Sequence, residues 1–200
     1  MGSRLIYAST DRVYGPLDSE NIPPRKETDN INPQGKLAIT KMAGEALLKC
    51  AEGLKYNIVR LSNNYGPWQT TADLIPQVID SIIDNKPIEI YGTGYQIRDW
   101  THVFDTCSAI LSVIENGIDK ETYNITSKQE YSNIEVVQLI CNIFGKGHDL
   151  IKHVEKDCSF RYAMTNDKIK ELGWAPQFKF KDGIAQTCQW YLSNKYVLKM

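Results

Sequence analysis

Apolar residues along this chain fall into short runs and into stretches with helical spacing, and the two kinds alternate. Residues 5–8 and 58–61 are short apolar runs of the kind that form buried strands. Between them, the small and apolar residues of positions 36–54 recur every three or four residues, which predicts a helix. Positions 74–83 carry a strongly amphipathic pattern and predict a second helix. Strands that alternate with helices predict an α/β fold with a mainly parallel sheet.

The rest of the chain continues this alternation. Residues 16–34 are polar and rich in proline, which predicts a surface loop. Ser132 and Glu135 have the spacing of a capping box and open a predicted helix that ends at Gly145. The other predicted elements are strands at 88–91, 97–100 and 122–125, a turn at 63–67, and helices at about 104–116, 166–172 and 182–194.

Gly92-Thr93-Gly94 is the one segment that suggests a dinucleotide-binding loop, but it leads into a predicted strand instead of a helix. No helix N-terminus would therefore face a pyrophosphate. We predict a hairpin turn here, because glycine readily adopts the positive φ angles that such turns need. No other glycine spacing in the sequence fits a dinucleotide-binding motif.

Composition excludes several classes of protein. The chain has 200 residues, with 23 Lys and Arg against 24 Asp and Glu, so it has no charge excess for nucleic acid or anionic membranes. Its five cysteines are scattered, none in a Cys-X-X-Cys pair, and its three histidines lack metal-ligand spacing. No apolar run approaches the length of a membrane span, and no signal segment opens the chain. We expect a cytoplasmic protein with reduced, packed thiols and no metal site.

Candidate chemistry lies where predicted strands end. Ser9-Thr10-Asp11 follows the first strand, Lys41 lies on the next helix, and Asn63-Asn64 follows the second strand. Taken singly, Asp11 could cap nearby backbone N–H groups and Lys41 could be a solvated helix residue. Their joint order favours a site, because open α/β sheets bind ligands in loops at the carboxyl ends of parallel strands.

These residues belong to a series of motifs that runs along almost the whole chain. The motifs are Ser-Thr-Asp-x-Val-Tyr-Gly at 9–15, Arg-Leu-Ser-Asn-Asn-Tyr-Gly-Pro at 60–67, Leu-Ile-Pro at 74–76, Ile-Tyr-Gly-x-Gly-x-Gln-Ile-Arg-Asp-Trp at 90–100, Glu-Thr-Tyr-Asn-Ile at 121–125, Arg-Tyr-Ala at 161–163, Glu-Leu-Gly-Trp-x-Pro at 171–176 and Trp-Tyr-Leu-Ser-Asn at 190–194. In this order they resemble the dTDP-glucose 4,6-dehydratases, a family of extended short-chain dehydrogenases/reductases.

The resemblance implies a fold in two parts. Residues 1–68 would form the C-terminal part of a Rossmann-like NAD-binding domain. Residues 69–200 would mainly form a small α/β domain that binds the nucleotide sugar, with some segments returning to the sheet. The match begins well inside a typical family member, so we expect the glycine-rich cofactor half to be missing and NAD not to bind the isolated chain.

The resemblance also implies a mechanism. In the family, NAD takes a hydride from C4 of the sugar, water leaves across C5–C6, and the hydride returns to C6. A tyrosine in a Tyr-x-x-x-Lys motif and an Asp-Glu pair move the protons. The roles that carry over are catalytic for Thr10, Asp11 and Lys41, cofactor-binding for Lys41 and Ser9, and substrate-binding for Asn63, Asn64 and Arg98.

Two proton-transfer positions depart from the family. Arg12 stands at the position of the glutamate and Leu37 at that of the tyrosine. Arginine stays protonated at usable pH and leucine has no proton to exchange. Losing one general acid–base group costs about 10²–10⁴ in rate. Residues 72–73 and 155–160 also differ from the family. In the family, the stretch that residues 155–160 replace helps to hold the nucleotide diphosphate.

The sequence therefore favours a truncated, catalytically impaired homologue that keeps part of a site for a dTDP- or UDP-hexose. One alternative is an active dehydratase or epimerase whose cofactor half comes from another chain. Another is a non-enzymatic partner of an active homologue, since the family helix that corresponds to residues 36–52 commonly packs in a dimer interface. We expect a homo-oligomer or a partner chain, because the strand at 5–8 would leave an unpaired sheet edge.

For Arg98, an ion pair with Asp99 or Asp105 is the alternative to a phosphate contact.

Overall fold

The structure, a computed structural model, describes residues 3–156 and 158–199. The strands are β1 (Arg4–Thr10), β2 (Lys55–Leu61), β3 (Asn63–Tyr65), β4 (Ile88–Tyr91), β5 (Ile97–His102), β6 (Thr122–Ile125), β7 (Glu130–Ser132), β8 (Ile151–Val154) and β9 (Arg161–Tyr162). The α-helices are α1 (Lys36–Cys50), α2 (Leu74–Asp84), α3 (Val103–Asn116), α4 (Asn133–Phe144), α5 (Asp167–Lys170) and α6 (Phe180–Ser193).

The first sheet is parallel, with strand order β1-β2-β6. Helix α1 connects β1 to β2, as the alternating pattern predicts. Val59 on β2 and Ala109 on α3 are fully buried in the core that joins the sheet to α3. The α/β fold is thus confirmed. β6 lies far along the chain from β2 and pairs with it in parallel.

The remaining strands form a second group. β5 pairs with β3 and β9 in parallel and with β7 in antiparallel fashion, and β4 pairs with β8 in parallel. A large core of apolar residues from α2, α4 and α6 lies against these strands. Ile79 and Ile140 are 0% exposed within it, which accounts for the strong amphipathic pattern of α2 and α4.

Local capping signals set the ends of α4 as predicted. The Ser132 side chain accepts a hydrogen bond from the backbone of Glu135, and the Glu135 carboxylate accepts one from the backbone of Ser132. Gly145 ends the helix in the left-handed conformation, with φ of 64°. The predicted capping box and helix end are therefore confirmed.

The predicted hairpin at residues 92–94 is wrong. Gly92 and Gly94 do have φ angles of 58° and 80°, as a tight turn requires. The two flanking strands nevertheless belong to different sheets, because β4 pairs with β8 and β5 pairs with β3, β7 and β9. The glycines determine the local bend, whereas long-range packing determines which strands pair.

Two other predicted boundaries need correction. Residues 63–65 form the short strand β3 beside β5 instead of part of a turn. Helix α1 ends at Cys50, four residues before the predicted end at residue 54.

The prediction that the thiols are packed holds for two of the five cysteines, since Cys141 and Cys188 are buried while Cys50, Cys107 and Cys158 are exposed free thiols.

Within residues 3–156 and 158–199, no helix has the length and apolar character needed to cross a membrane. In the same residues, no three His, Cys, Asp or Glu side chains are grouped to hold a metal ion.

Candidate functional site

The end of β1 carries the first group of candidate side chains. Thr10 caps a short 3-10 helix, Asp11–Tyr14, and its hydroxyl oxygen accepts a hydrogen bond from the backbone of Arg12 at 3.4 Å. The same hydroxyl donates to Oδ1 of Asp11 at 3.1 Å. Asp11 is only 3% exposed, and its Oδ2 has no hydrogen-bond partner among the described residues. Burial raises the pKa of Asp11, and the nearby Arg12 charge partly opposes this rise.

Helix α1 carries Lys41 and Leu37 four residues apart, so both lie on one face. Lys41 Nζ donates a hydrogen bond to the carbonyl oxygen of Ala8 at 2.8 Å and lies 5.4 Å from the ring centroid of Tyr7. This contact places the ammonium group at the end of β1. Leu37 is 52% exposed. The family tyrosine position therefore presents an apolar side chain to solvent.

Ser9 belongs to a buried hydrogen-bond network that the sequence analysis did not predict. Its hydroxyl donates to Oε1 of Glu45 at 2.5 Å. Arg60 donates to both carboxylate oxygens of Glu45, at 3.1 and 2.6 Å. A charged residue within the apolar run of β2 requires a partner, and Glu45 lies one helical turn beyond Lys41. Those two facts are the signal that could have revealed the network.

The network continues away from the helix. Nη1 of Arg60 donates to the hydroxyl of Tyr14 at 2.7 Å, and that hydroxyl donates to Oδ1 of Asn124 at 2.8 Å. Burial raises the pKa of Tyr14 to about 12, so the phenol stays protonated. The ends of β1, β2 and β6 are thereby linked through hydrogen-bonded side chains.

A cavity of about 580 Å³ lies beside this group of strand ends. Its lining includes the predicted substrate residues Asn63, Asn64 and Arg98, together with Arg12. Thr10, Asp11 and Lys41 are not among the described lining residues, so Arg12 is the member of the 9–12 segment that reaches the cavity.

Arg98 donates hydrogen bonds to the backbone carbonyls of Ile97 at 2.7 Å, Ser159 at 3.0 Å and Phe160 at 3.3 Å. Its guanidinium lies 5.1 Å from the ring centroid of Tyr162. No carboxylate of the described residues forms an ion pair with it, so the alternative pairing with Asp99 or Asp105 is not seen.

The two asparagines differ in what holds them. The Asn64 amide accepts a hydrogen bond from the Thr106 hydroxyl and donates one to the carbonyl of Ser62 at 3.3 Å. The Asn64 side chain thus joins the residue that precedes β3 to helix α3. Asn63 lines the cavity from a half-buried position.

Asp99 is a second buried carboxyl that the sequence analysis did not select as functional. It is 1% exposed, accepts a hydrogen bond from the Thr126 hydroxyl, and accepts one from the backbone of Gln129 at 3.3 Å. Burial raises its pKa from 3.8 to about 7. Asp99 lies on β5, so these hydrogen bonds tie β5 to the segment that follows β6.

Comparison with known proteins assigns the chain and its fold to one family. A sequence model of the NAD dependent epimerase/dehydratase family matches residues 1–126. The chain belongs to this family. It is 37% identical over 207 residues to a dTDP-glucose 4,6-dehydratase of Xanthomonas campestris, a match that covers 96% of the chain and 58% of that protein.

Solved structures agree with this assignment. A dTDP-glucose 4,6-dehydratase from Bacillus anthracis, in complex with NAD, superposes with a TM-score of 0.91 at 35% identity, over 98% of this chain and 64% of that one. A UDP-glucose 4-epimerase from Thermotoga maritima, with UDP-glucose, gives 0.85 at 26% identity, over 96% of this chain and 64% of that one. The chain spans about 58% of the length of the curated relatives that it matches.

Proposed function

We propose that this chain forms the nucleotide-sugar-binding part of an epimerase/dehydratase site, and that its capacity for dehydration is impaired by Arg12 and Leu37. The observation that carries the proposal is the cavity of about 580 Å³ at the strand ends, lined by Asn63, Arg98 and Arg12. We further propose that residues 1–68 supply the cofactor side of the site and residues 69–200 mainly the substrate side.

The chemistry of the cavity supports a nucleotide diphosphate ligand. Its volume falls within the roughly 300–1,000 Å³ range of small-molecule sites. A guanidinium presents a planar fork of donors that suits phosphate oxygens. Relatives of this chain are named for dTDP-glucose and for UDP-glucose, so a dTDP- or UDP-hexose is the substrate class we propose.

Of the two predicted cofactor residues, Ser9 and Lys41, only Lys41 has a side chain suited to contact NAD. Lys41 holds a half-buried ammonium group at the end of β1, where it could donate to a ribose hydroxyl. Ser9 does not fit the predicted cofactor contact, because its hydroxyl is engaged by Glu45. When bound, NAD supplies the hydride acceptor of the family's chemistry. No glycine-rich turn joins a strand to a helix in this sequence, so we propose that the chain alone does not bind NAD.

Proton transfer is where this chain departs from an active enzyme. The raised pKa of Asp11 favours its protonated form, which suits a proton donor. Arg12 supplies a fixed positive charge in place of a second carboxyl group. Leu37 replaces the phenol of the family motif, whose pKa the motif lysine would lower. Substrate binding is thus retained in our proposal while two proton-transfer groups are replaced.

Exposed apolar residues on α1 favour a second role as a partner of another chain. Leu47 is 73% exposed, Leu37 52% and Ile39 50%. Three large apolar side chains exposed on one helix favour contact with another protein surface.

Calorimetric titration with dTDP-glucose and UDP-glucose tests the proposed function. We expect saturable binding of at least one of them, and weaker binding by Arg98→Gln. Lys152→Gln is the matched control, since Lys152 is exposed and lies outside the cavity lining. Saturable binding that Arg98→Gln leaves unchanged, or no binding of either ligand, would contradict the proposal.

A further inference from the structure

Two arginines of this chain share one aromatic ring in the cavity. The guanidinium carbon of Arg12 lies 5.9 Å from the ring centroid of Tyr162, and that of Arg98 lies 5.1 Å from the same centroid. Tyr162 is itself only 6% exposed, and its hydroxyl donates to the hydroxyl oxygen of Ser159 at 3.1 Å. The ring is therefore a fixed platform that holds both cations near each other.

The charges around this platform do not balance. Among residues 3–156 and 158–199, neither arginine has a carboxylate within ion-pairing distance. The nearby Asp11 is buried, and burial raises its pKa, which weakens it as a counter-charge. Burial lowers the pKa of Arg98, and the positive charge of Arg12 lowers it further.

The other charged groups of the cavity leave its cationic character in place. Lys156 adds a third cation, 3.9 Å from the ring centroid of Tyr91. Asp73 is the one described acidic residue in the lining. Two guanidinium groups that repel each other in a half-buried cavity are stabilised when an anionic ligand binds between them.

The backbone conformation orients Arg12 before any ligand binds. Its N–H donates to the Thr10 hydroxyl oxygen at 3.4 Å, and its carbonyl accepts a hydrogen bond from the N–H of Gly15 at 3.1 Å. The short 3-10 helix therefore fixes the direction in which the side chain leaves the end of β1. Such preorganisation reduces the entropy lost when the side chain engages a ligand.

We propose that Arg12 is an anion-binding residue of this cavity, which acts together with Arg98 on an anionic group of the nucleotide-sugar ligand. This inference rests on the proposed nucleotide-sugar site. The anionic group has two possible sources with the same chemistry: the diphosphate, or a carboxylate on the sugar. Arginine can bind either one through two parallel hydrogen bonds.

The test is a calorimetric titration of the full 200-residue chain with uridine, UDP, UDP-glucose and UDP-glucuronate, and with dTDP-glucose as a fifth ligand. We expect Arg12→Gln to weaken binding of at least one charged ligand by about tenfold or more, the effect of one charged hydrogen bond. Uridine, which has no anionic group, should show no difference. Arg12→Lys should lose part of the affinity, because it keeps the charge but lacks the planar fork.

The pattern of affinity loss across the ligands shows whether Arg12 binds the diphosphate or the sugar carboxylate. An equal loss for UDP, UDP-glucose and UDP-glucuronate would assign Arg12 to the diphosphate. A loss confined to UDP-glucuronate would assign it to the sugar carboxylate. Both results support the inference.

Two results would overturn it, and they can be told apart. If Arg12→Gln and Arg12→Lys bind every ligand as the unmutated chain does while Arg98→Gln binds weakly, the inference fails and the proposed function stands. If the unmutated chain binds none of the sugar nucleotides, both fail. Urea unfolding midpoints for each variant check that the fold is intact, and Arg12→Met replaces Arg12→Gln if the latter does not fold.

Discussion

Arg60 and Glu45 form a buried ion pair in which two guanidinium nitrogens reach two carboxylate oxygens, at 2.6 and 3.1 Å, with both side chains at most 3% exposed. The pair joins β2 to α1. Because α1 also carries Lys41 and Leu37, this pair determines where the helix presents those two side chains to the end of β1.

Removal of one partner should destabilise the protein strongly. We expect Glu45→Ala to lower the free energy of unfolding by about 3–5 kcal/mol, because it leaves the Arg60 charge buried without a counter-charge. Urea unfolding followed by circular dichroism measures this. Glu52→Ala is the control, since Glu52 is exposed and should change stability by no more than about 0.5 kcal/mol. A Glu45→Ala effect as small as that of the control would show that the pair contributes little.

Asp99 should make stability fall as pH rises. Its pKa is raised to about 7 in the fold by burial, above its ordinary value of 3.8. Between these values the folded state binds a proton that the unfolded state does not, so the free energy of unfolding decreases from about pH 4 to pH 7. Asp99→Asn should remove this part of the pH dependence.

The measurement is a series of urea unfolding curves between pH 4 and pH 8. Asp84 is the control, because its pKa is shifted in the opposite direction to that of Asp99. Hydrogen bonds from Lys199 and Lys86 lower the pKa of Asp84 to about 2. Asp84→Asn should therefore leave the decrease between pH 4 and pH 7 in place. If Asp99→Asn shows the same slope as the unmutated chain, Asp99 does not titrate in this range.

Restoration of the family tyrosine should not restore turnover. We expect Leu37→Tyr to form no more 4-keto-6-deoxy product from dTDP-glucose, with NAD added, than the unmutated chain. The reason is that Arg12 still occupies the second proton-transfer position, where loss of one acid–base group costs about 10²–10⁴ in rate. Arg12→Glu is the companion variant, and it should be equally inactive alone. Turnover by Leu37→Tyr clearly above that of the unmutated chain would refute this account of the impairment.

The exposed apolar side chains of α1 should promote self-association. Leu47 is 73% exposed, and β1 lies at one edge of its sheet among the described strands, where ladder groups can recruit another chain. We expect light scattering after size exclusion to show a mass above that of a monomer, which rises with concentration. Leu47→Glu should shift the protein toward monomer, whereas Ile143→Glu on α4 should not. A stable monomer at tens of micromolar for the unmutated chain would contradict this prediction.

Much of the fold could be predicted because its signals are local. The apolar runs of β1 and β2, the amphipathic pattern of α2 and the capping box of α4 each lie within one segment. β3 and β9 were missed because strands of three and two residues have no detectable periodicity. The pairing of β4 with β8 depends on contacts more than 60 residues apart in the chain, which no local pattern records.

The candidate site was predictable to a similar extent. Sequence motifs selected Asn63 and Arg98, and both line the cavity. Ser9 was interpreted as a cofactor contact because its motif was read without Glu45, whose carboxylate accepts a hydrogen bond from the Ser9 hydroxyl. The pairing of Arg12 and Arg98 on Tyr162 joins residues separated by up to 150 positions, and it becomes visible only in the folded chain.

A crystal structure of the chain with dTDP-glucose or UDP-glucose tests the central claim most directly, because it locates the ligand. We predict the diphosphate in the cavity between α2 and β5, with phosphate oxygens within hydrogen-bond distance of Arg98 and the sugar toward the end of β1. A nucleotide sugar bound elsewhere on the surface, with Arg98 and Asn63 free of it, would contradict the account.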